Sequence, residues 1–239
     1  MTPKTDDTRS LVDRPERFTL SGLHKVQFKV KLTDEREFKC RLINLSSFGL
    51  AFEIIDADFP FEKDQKLQGE IILDNQVLSL NLNVRHLDAA VGCRIENSDG
   101  RFRELVENFF INEIAAEQLV KVETATTYTN VDGEVNQYVG SNSFFNLTYI
   151  EKNGKISRID IKLMGNTIKM DDQGHIEYGF LVEDQNSDPE DIIHIKVHDL
   201  PDEMINHALR FIWNVQAIPS NIKQLIMDML ENSRHKETA

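Results

Sequence analysis

Apolar and polar residues alternate along most of the chain between Lys25 and Asn97. In KVQFKVKL, residues 25–32, Val26, Phe28, Val30 and Leu32 share one side of an extended chain. Lys25, Gln27, Lys29 and Lys31 occupy the other side, because side chains of a strand point to its two faces in turn. The pattern recurs in EFKCRLIN, GLAFEII, KLQGEIILD, QVLSLNLNVRHLD and AVGCRIEN. Asp74-Asn75 separates two such runs and predicts a hairpin turn. Strands repeating at about ten-residue spacing, with polar turns between them, predict a small antiparallel barrel or sandwich.

The period changes after Ser98-Asp99-Gly100. From Arg101 to Val122 there is no Gly or Pro, and Phe102, Leu105, Val106 and Phe109 fall at helical spacing. The expected helix either plugs one end of the barrel or links to the next domain. From Glu123 a Thr-, Asn-, Ser- and Gly-rich connector with at most one weak strand is expected. Alternation then resumes in FFNLTYIE, ISRIDIKLM, NTIKMD, HIEYGFLVE and DIIHIKVHD. Turns are expected at Lys152-Asn153-Gly154, at Gly165-Asn166 and from Asp171 to Gly174.

Two helices close the sequence. The first begins near Pro201, with Asp202 and Glu203 at the positive end of its dipole. The second takes Ser220 as N-cap and repeats Ile222, Leu225, Ile226, Met229 and Leu230 at amphipathic spacing. Phe109, Phe110, Phe144, Phe145 and Trp213 read as core residues. The expected organisation is a flexible arm over 1–19, a β-barrel plus helix over 20–122, and an α+β domain over 123–239.

Charge narrows the choice of partners. The chain of 239 residues carries a net charge of −13 and has a pI near 5.0, which argues against a nucleic-acid polymer as ligand. Residues 1–122 have a net charge of −4 and residues 123–239 of −9. Against that background residues 9–41 hold nine basic and five acidic side chains, so an anion would dock there if anywhere. The alternating lysines of KVQFKVKL are explained by a solvated strand face; the upstream arginines are not. The first residues, MTPKTDDTRS, contain no apolar stretch of a secretory signal. No apolar run approaches the roughly 20 residues of a membrane span. Cys40 and Cys93 read as small buried hydrophobes in a reducing compartment, and the expected location is the cytoplasm.

The segment Asn44-Leu-Ser-Ser-Phe-Gly49, NLSSFG, lies between two strands. A hairpin turn accounts for it; so does one lip of a binding site. Asn44 and Ser46 can hydrogen-bond a base edge or a phosphate oxygen, and Gly49 permits positive φ and close backbone approach.

NLSSFG fits a (D/N)xSxxG pattern, VGCRI at 91–95 forms a late strand, and a helix follows from Arg101. In these features residues 20–115 resemble the PilZ family, bacterial six-stranded β-barrels of which many bind cyclic di-GMP. The resemblance implies a six-stranded antiparallel barrel with a following helix for those residues, within a mainly β and α+β chain whose later residues read by their own pattern as an α+β domain of antiparallel strands and two terminal helices. The resemblance also implies a regulator of cyclic di-GMP signalling, with that dinucleotide as regulatory ligand and a protein partner of unknown identity. Family members supply an RxxxR motif just ahead of the first strand, whose arginines pair with and stack on guanine. Here that place reads Leu20-Ser-Gly-Leu-His24-Lys25, and Lys25 offers charge without a planar fork. The nearest arginines, Arg14 and Arg17, are spaced RxxR and lie earlier. They either fold back over the motif or remain on a solvated tail. The expected ligand residues are Arg14, Arg17, Asn44, Ser46 and Gly49. The alternative is a PilZ-like scaffold that has lost the nucleotide and works as a protein–protein adaptor.

No catalytic or metal motif competes with this reading. A P-loop, a GxSxG elbow, an HExxH helix and a dinucleotide-binding glycine pattern are all missing, and no enzyme is expected. His194 and His198 share a strand face but stand about 13 Å apart, too far to share one ion.

Overall fold

A computed structural model describes residues 17–32, 34–55, 61–96, 98–122, 133–141, 144–183, 192–197 and 199–234. The chain divides into two compact units, Met1–Phe109 and Phe110–Ala239.

The first unit contains β1 (Phe18–Thr19), β2 (Val26–Lys31), β3 (Glu37–Ser46), β4 (Gly49–Ile54), β5 (Lys66–Leu73), β6 (Gln76–Leu87) and β7 (Val91–Ile95). Their order is β1-β3-β2-β5-β6-β7-β4, every pair antiparallel, and β4 also pairs with β3. That last pairing closes β2 to β7 into the expected six-stranded barrel and leaves β1 outside the closed ring as an added strand. Closure removes the exposed edges of an open sheet. The alternation read in KVQFKVKL is observed: Phe28, Val30 and Leu32 are buried, and Lys25, Gln27 and Lys31 are exposed. Phe52 packs at the centre, edge-on to Phe28 and Phe61, with ring centroids 5.2 and 5.8 Å away. Asp74 and Asn75 take φ of 43° and 67°, the paired left-handed values of a two-residue hairpin. Asp99 accepts the Phe102 N–H at 2.8 Å and starts α1, Gly100–Phe109, whose buried residues are Phe102, Val106 and Phe109.

The helix expected to run to Val122 is interrupted. It breaks at Phe110, which is fully buried, resumes as α2 (Ile111–Glu117), and gives way to strand β8 (Val120–Val122). β8 pairs with β9 (Glu134–Val139), Val120 opposite Val139, so sheet pairing overrides the helical tendency of those residues.

The second unit continues with β10 (Phe145–Lys152), β11 (Lys155–Leu163), β12 (Asn166–Asp171), β13 (Ile176–Glu183) and β14 (Ile192–Val197), then α3 (Asp202–Asn214) and α4 (Ser220–Ser233). Its seven strands lie in chain order, β14 to β8, as an antiparallel meander. Asn153-Gly154 turns as expected. The next turn is centred on Met164-Gly165, one residue earlier than Gly165-Asn166. Leu147, Ile159, Ile161 and Ile168 fill the core with Leu209, Phe211 and Ile226 from the helices. Phe145 lies 6.1 Å from Phe211.

Three expectations are corrected here. Trp213 is 54% exposed, because Ile205, Leu209 and Ile212 already form the inward stripe of α3. Phe144 is 54% exposed just before β10, while its neighbour Phe145 is buried. Ser220 is the first residue of α4 rather than its cap; Pro219, extended at φ −60° and ψ 145°, precedes the helix. His194 stands opposite Leu181 in β14, and His198 lies outside the described residues.

Candidate functional site

Strand β1 decides where the arm arginine goes. Phe18 pairs with Leu45 and Thr19 with Asn44, and the Leu20 N–H donates to the Ile43 carbonyl at 2.9 Å. Antiparallel pairing continued by one residue sets Arg17 beside Ser46, at the end of β3 where NLSSFG turns. Arg17 is exposed and lines a cavity of about 710 Å³ with Ser46, Phe48 and Gly49. Arg14 lies outside the described residues. Lys25 is exposed and does not line this cavity.

The motif residues have separate tasks. Ser46 is 2% exposed; its Oγ donates to the Gly49 carbonyl at 3.0 Å and accepts the Gly49 N–H at 3.1 Å. Its hydroxyl is thus used within the turn. Gly49 needs no positive φ. A Cβ there would meet the Cys93 carbonyl oxygen at 2.8 Å, so glycine is required for β4 to lie close to β7, and the close approach is to protein backbone. Asn44 does not line the cavity, and its Oδ1 is enclosed without a hydrogen-bond partner among the described residues. A buried acceptor in that state lacks the partner such groups almost always find.

The opposite wall comes from β6 and β7. Gly49 pairs with Arg94 across the β4–β7 ladder. Arg94 alternates outward between buried Cys93 and Ile95, and lines the cavity. Neither Arg17 nor Arg94 forms an ion pair among the described residues. In β6 the register slips between Val84 and His86 against β7, and the bulged residue, Arg85, joins His86 on the cavity wall. Bulges commonly re-aim a side chain in this way. Arg85 Nη1 donates to Asp64 Oδ1 at 2.7 Å. At the rim, the Arg103 guanidinium covers one face of Phe48 at 4.8 Å. The Cys93 thiol is pushed up to about 12 by burial, so it is protonated and inert in this setting. Three guanidinium groups line one cavity, a local concentration of positive charge in a chain of net charge −13.

The family model of the PilZ domain matches residues 16–112. Those residues are a PilZ domain. No curated protein matches the chain. Among solved structures the chain is similar to MrkH of K. pneumonia in complex with c-di-GMP: 17% identity, TM-score 0.37, covering 42% of this chain and 52% of that one. YcgR of Escherichia coli in complex with c-di-GMP gives 18% identity and a TM-score of 0.36, covering 43% and 46%. The PilZ domain of YcgR with c-di-GMP gives 20% and 0.35, covering 41% and 88%. The chain thus spans about half the length of the first two.

Of the expected ligand residues, the PilZ domain brings Arg17, Ser46 and Gly49 to one cavity and sets Asn44 two residues behind Ser46 on β3. Arg85, His86 and Arg94 were not expected. Arg94 was legible in VGCRI as an outward residue between two inward ones, though nothing in the sequence set it opposite Gly49. Arg85 depends on a bulge that alternation does not announce. Among the described residues, no group of three or more His, Cys, Asp and Glu is placed to hold a metal ion, and no helix is long and apolar enough to cross a membrane.

Proposed function

We propose that the PilZ domain is a receptor for cyclic di-GMP and that the chain is a cytoplasmic regulator in bacterial signalling by that dinucleotide. The observation that carries this reading is the position of Arg17 and Arg94, unpaired among the described residues, on two sides of Gly49 in one cavity. Cyclic di-GMP has two phosphates and two guanines. A guanidinium can pair bidentately with a phosphate or with guanine O6 and N7, and can stack on the base. A volume of about 710 Å³ lies within the ~300–1,000 Å³ of small-molecule sites. In this reading Arg14 and Arg17 are the arm's contribution, and Asn44, Ser46 and Gly49 shape the floor. Arg94 takes the part of the arginine missing ahead of β2. Ligand binding orders the arm and alters contact between the chain and a protein partner, with the second unit, from Phe110 onward, as an interaction module.

One observation favours the adaptor alternative: the Ser46 hydroxyl is already satisfied within its own turn. Calorimetric titration separates the two. For the receptor, cyclic di-GMP binds saturably, and Arg17→Ala or Arg94→Ala weakens binding roughly tenfold or more, since a hydrogen bond to a charged group is worth about 1.5–3 kcal/mol. No heat at high ligand concentration would leave the adaptor.

A further inference from the structure

Arg85 differs from the other two arginines of the cavity in having a carboxylate partner. Asp64 and Arg85 meet at 2.7 Å, with side chains 60% and 42% exposed respectively. The carboxylate is held in place by backbone. The Asp64 N–H donates to the Val84 carbonyl at 2.8 Å, and the Val84 N–H donates to the Gln65 carbonyl at 3.0 Å. These bonds fasten the Asp64 loop to β6 immediately before the bulge that aims Arg85 at the cavity. Asp64 itself adopts φ of 64°, a left-handed value that Asp and Asn tolerate better than most residues.

We infer that Asp64 is a built-in competitor of the ligand: it occupies the Arg85 guanidinium in the empty site and is displaced when a phosphate of the bound dinucleotide takes that guanidinium. The inference rests on the receptor reading above and adds an autoinhibitory contact to it. The chemistry favours exchange. An ion pair as exposed as this one contributes little to stability, so it is readily given up. A phosphate presents oxygens that a guanidinium can grip bidentately, with charge-assisted hydrogen bonds stronger than neutral ones. Giving up the Asp64 contact is a cost that falls on the incoming phosphate, and that cost lowers affinity. Asp64 therefore sets the concentration at which the site fills. The exchange is of hydrogen bonds only; no covalent bond forms or breaks.

The test is calorimetry with cyclic di-GMP on the full chain: wild type, Asp64→Asn, Arg85→Ala and the double variant. Asn keeps the tolerance for left-handed φ and removes only the charge. Asp64→Asn should bind roughly two- to fivefold tighter than wild type, the range of an exposed ion pair converted to affinity. Arg85→Ala should bind more weakly, and adding Asp64→Asn to it should give no gain. A gain of affinity cannot be produced by misfolding, and Arg85→Lys serves as a second variant should Arg85→Ala fail to fold. Binding by wild type with no tightening in Asp64→Asn overturns the competitor role and leaves the receptor reading standing. The same gain on the Arg85→Ala background also overturns it, since the effect would then be a general loss of negative charge. Silence from wild type and Asp64→Asn alike overturns the receptor reading and this inference together. Binding by Asp64→Asn alone supports both.

Discussion

Arg94 in the barrel unit is exposed and without an ion pair among the described residues. Arg210, on α3 of the second unit, is 3% exposed and donates to both carboxylate oxygens of Glu113 on α2, at 2.7 and 3.0 Å. The same side chain is left available in one unit and fully engaged in the other. Exposed cations at a cavity cost the fold little and give a ligand something to bind. Buried cations must be paired, because an unpaired charge out of water costs several kcal/mol. Neighbours extend the contrast. Asn214 donates to the Arg210 carbonyl at 2.8 Å, and Asn112 and His207 meet at 2.8 Å beside it. The Glu113–Arg210 and Asn112–His207 contacts hold α2 to α3, whereas Arg17 and Arg94 line an open cavity.

Breaking the engaged arginine should have the largest effect. Glu113→Ala leaves Arg210 buried without its carboxylate, and should cost about 3–5 kcal/mol in urea or thermal unfolding of the second unit. Affinity for cyclic di-GMP should not change. Equal loss of affinity would mean that the two arginines serve one network, and the contrast would fail.

Glycines give a smaller version of the same contrast. In the barrel Gly49 is needed because the Cys93 carbonyl lies 2.8 Å from where its Cβ would sit. In the second unit Gly154 is needed for a turn at φ 73° in open space. Gly49→Ala should therefore destabilise the barrel by about 1–3 kcal/mol, since a backbone contact cannot yield as a side chain does. Gly154→Ala should cost about 1–2 kcal/mol through backbone strain alone. Differential scanning calorimetry of the two variants would show whether crowding or strain is the larger penalty.

Strands were the most legible feature. Side chains alternate faces wherever one face is buried, so KVQFKVKL and the runs after it announced both their state and their inward residues. Hairpins at Asp74-Asn75 and Asn153-Gly154 were legible because few residues accept left-handed φ. The break at Phe110 was not. Phe102, Val106 and Phe109 keep helical period to the very residue where the helix is interrupted, and only the pairing of Val120 with Val139 explains the strand that follows. Trp213 was misplaced because Ile205, Leu209 and Ile212 lie near it at helical spacing and it was read with them, whereas those three form the inward stripe without it. In the candidate site, NLSSFG was legible as a corner, yet its glycine turned out to answer to β7 rather than to φ. Arg94 stayed hidden for a general reason: what faces Gly49 is fixed by strand register between residues far apart in sequence. No local pattern encodes that distance.

Arginine availability is tested most directly by titrating cyclic di-GMP into the chain labelled with ¹⁵N on its arginine side chains and following each Nε–H resonance. The Arg17 and Arg94 resonances should move together and saturate with ligand, while Arg210 stays in place. Saturable binding that leaves Arg17 and Arg94 unmoved, or no movement of any resonance, would contradict the account.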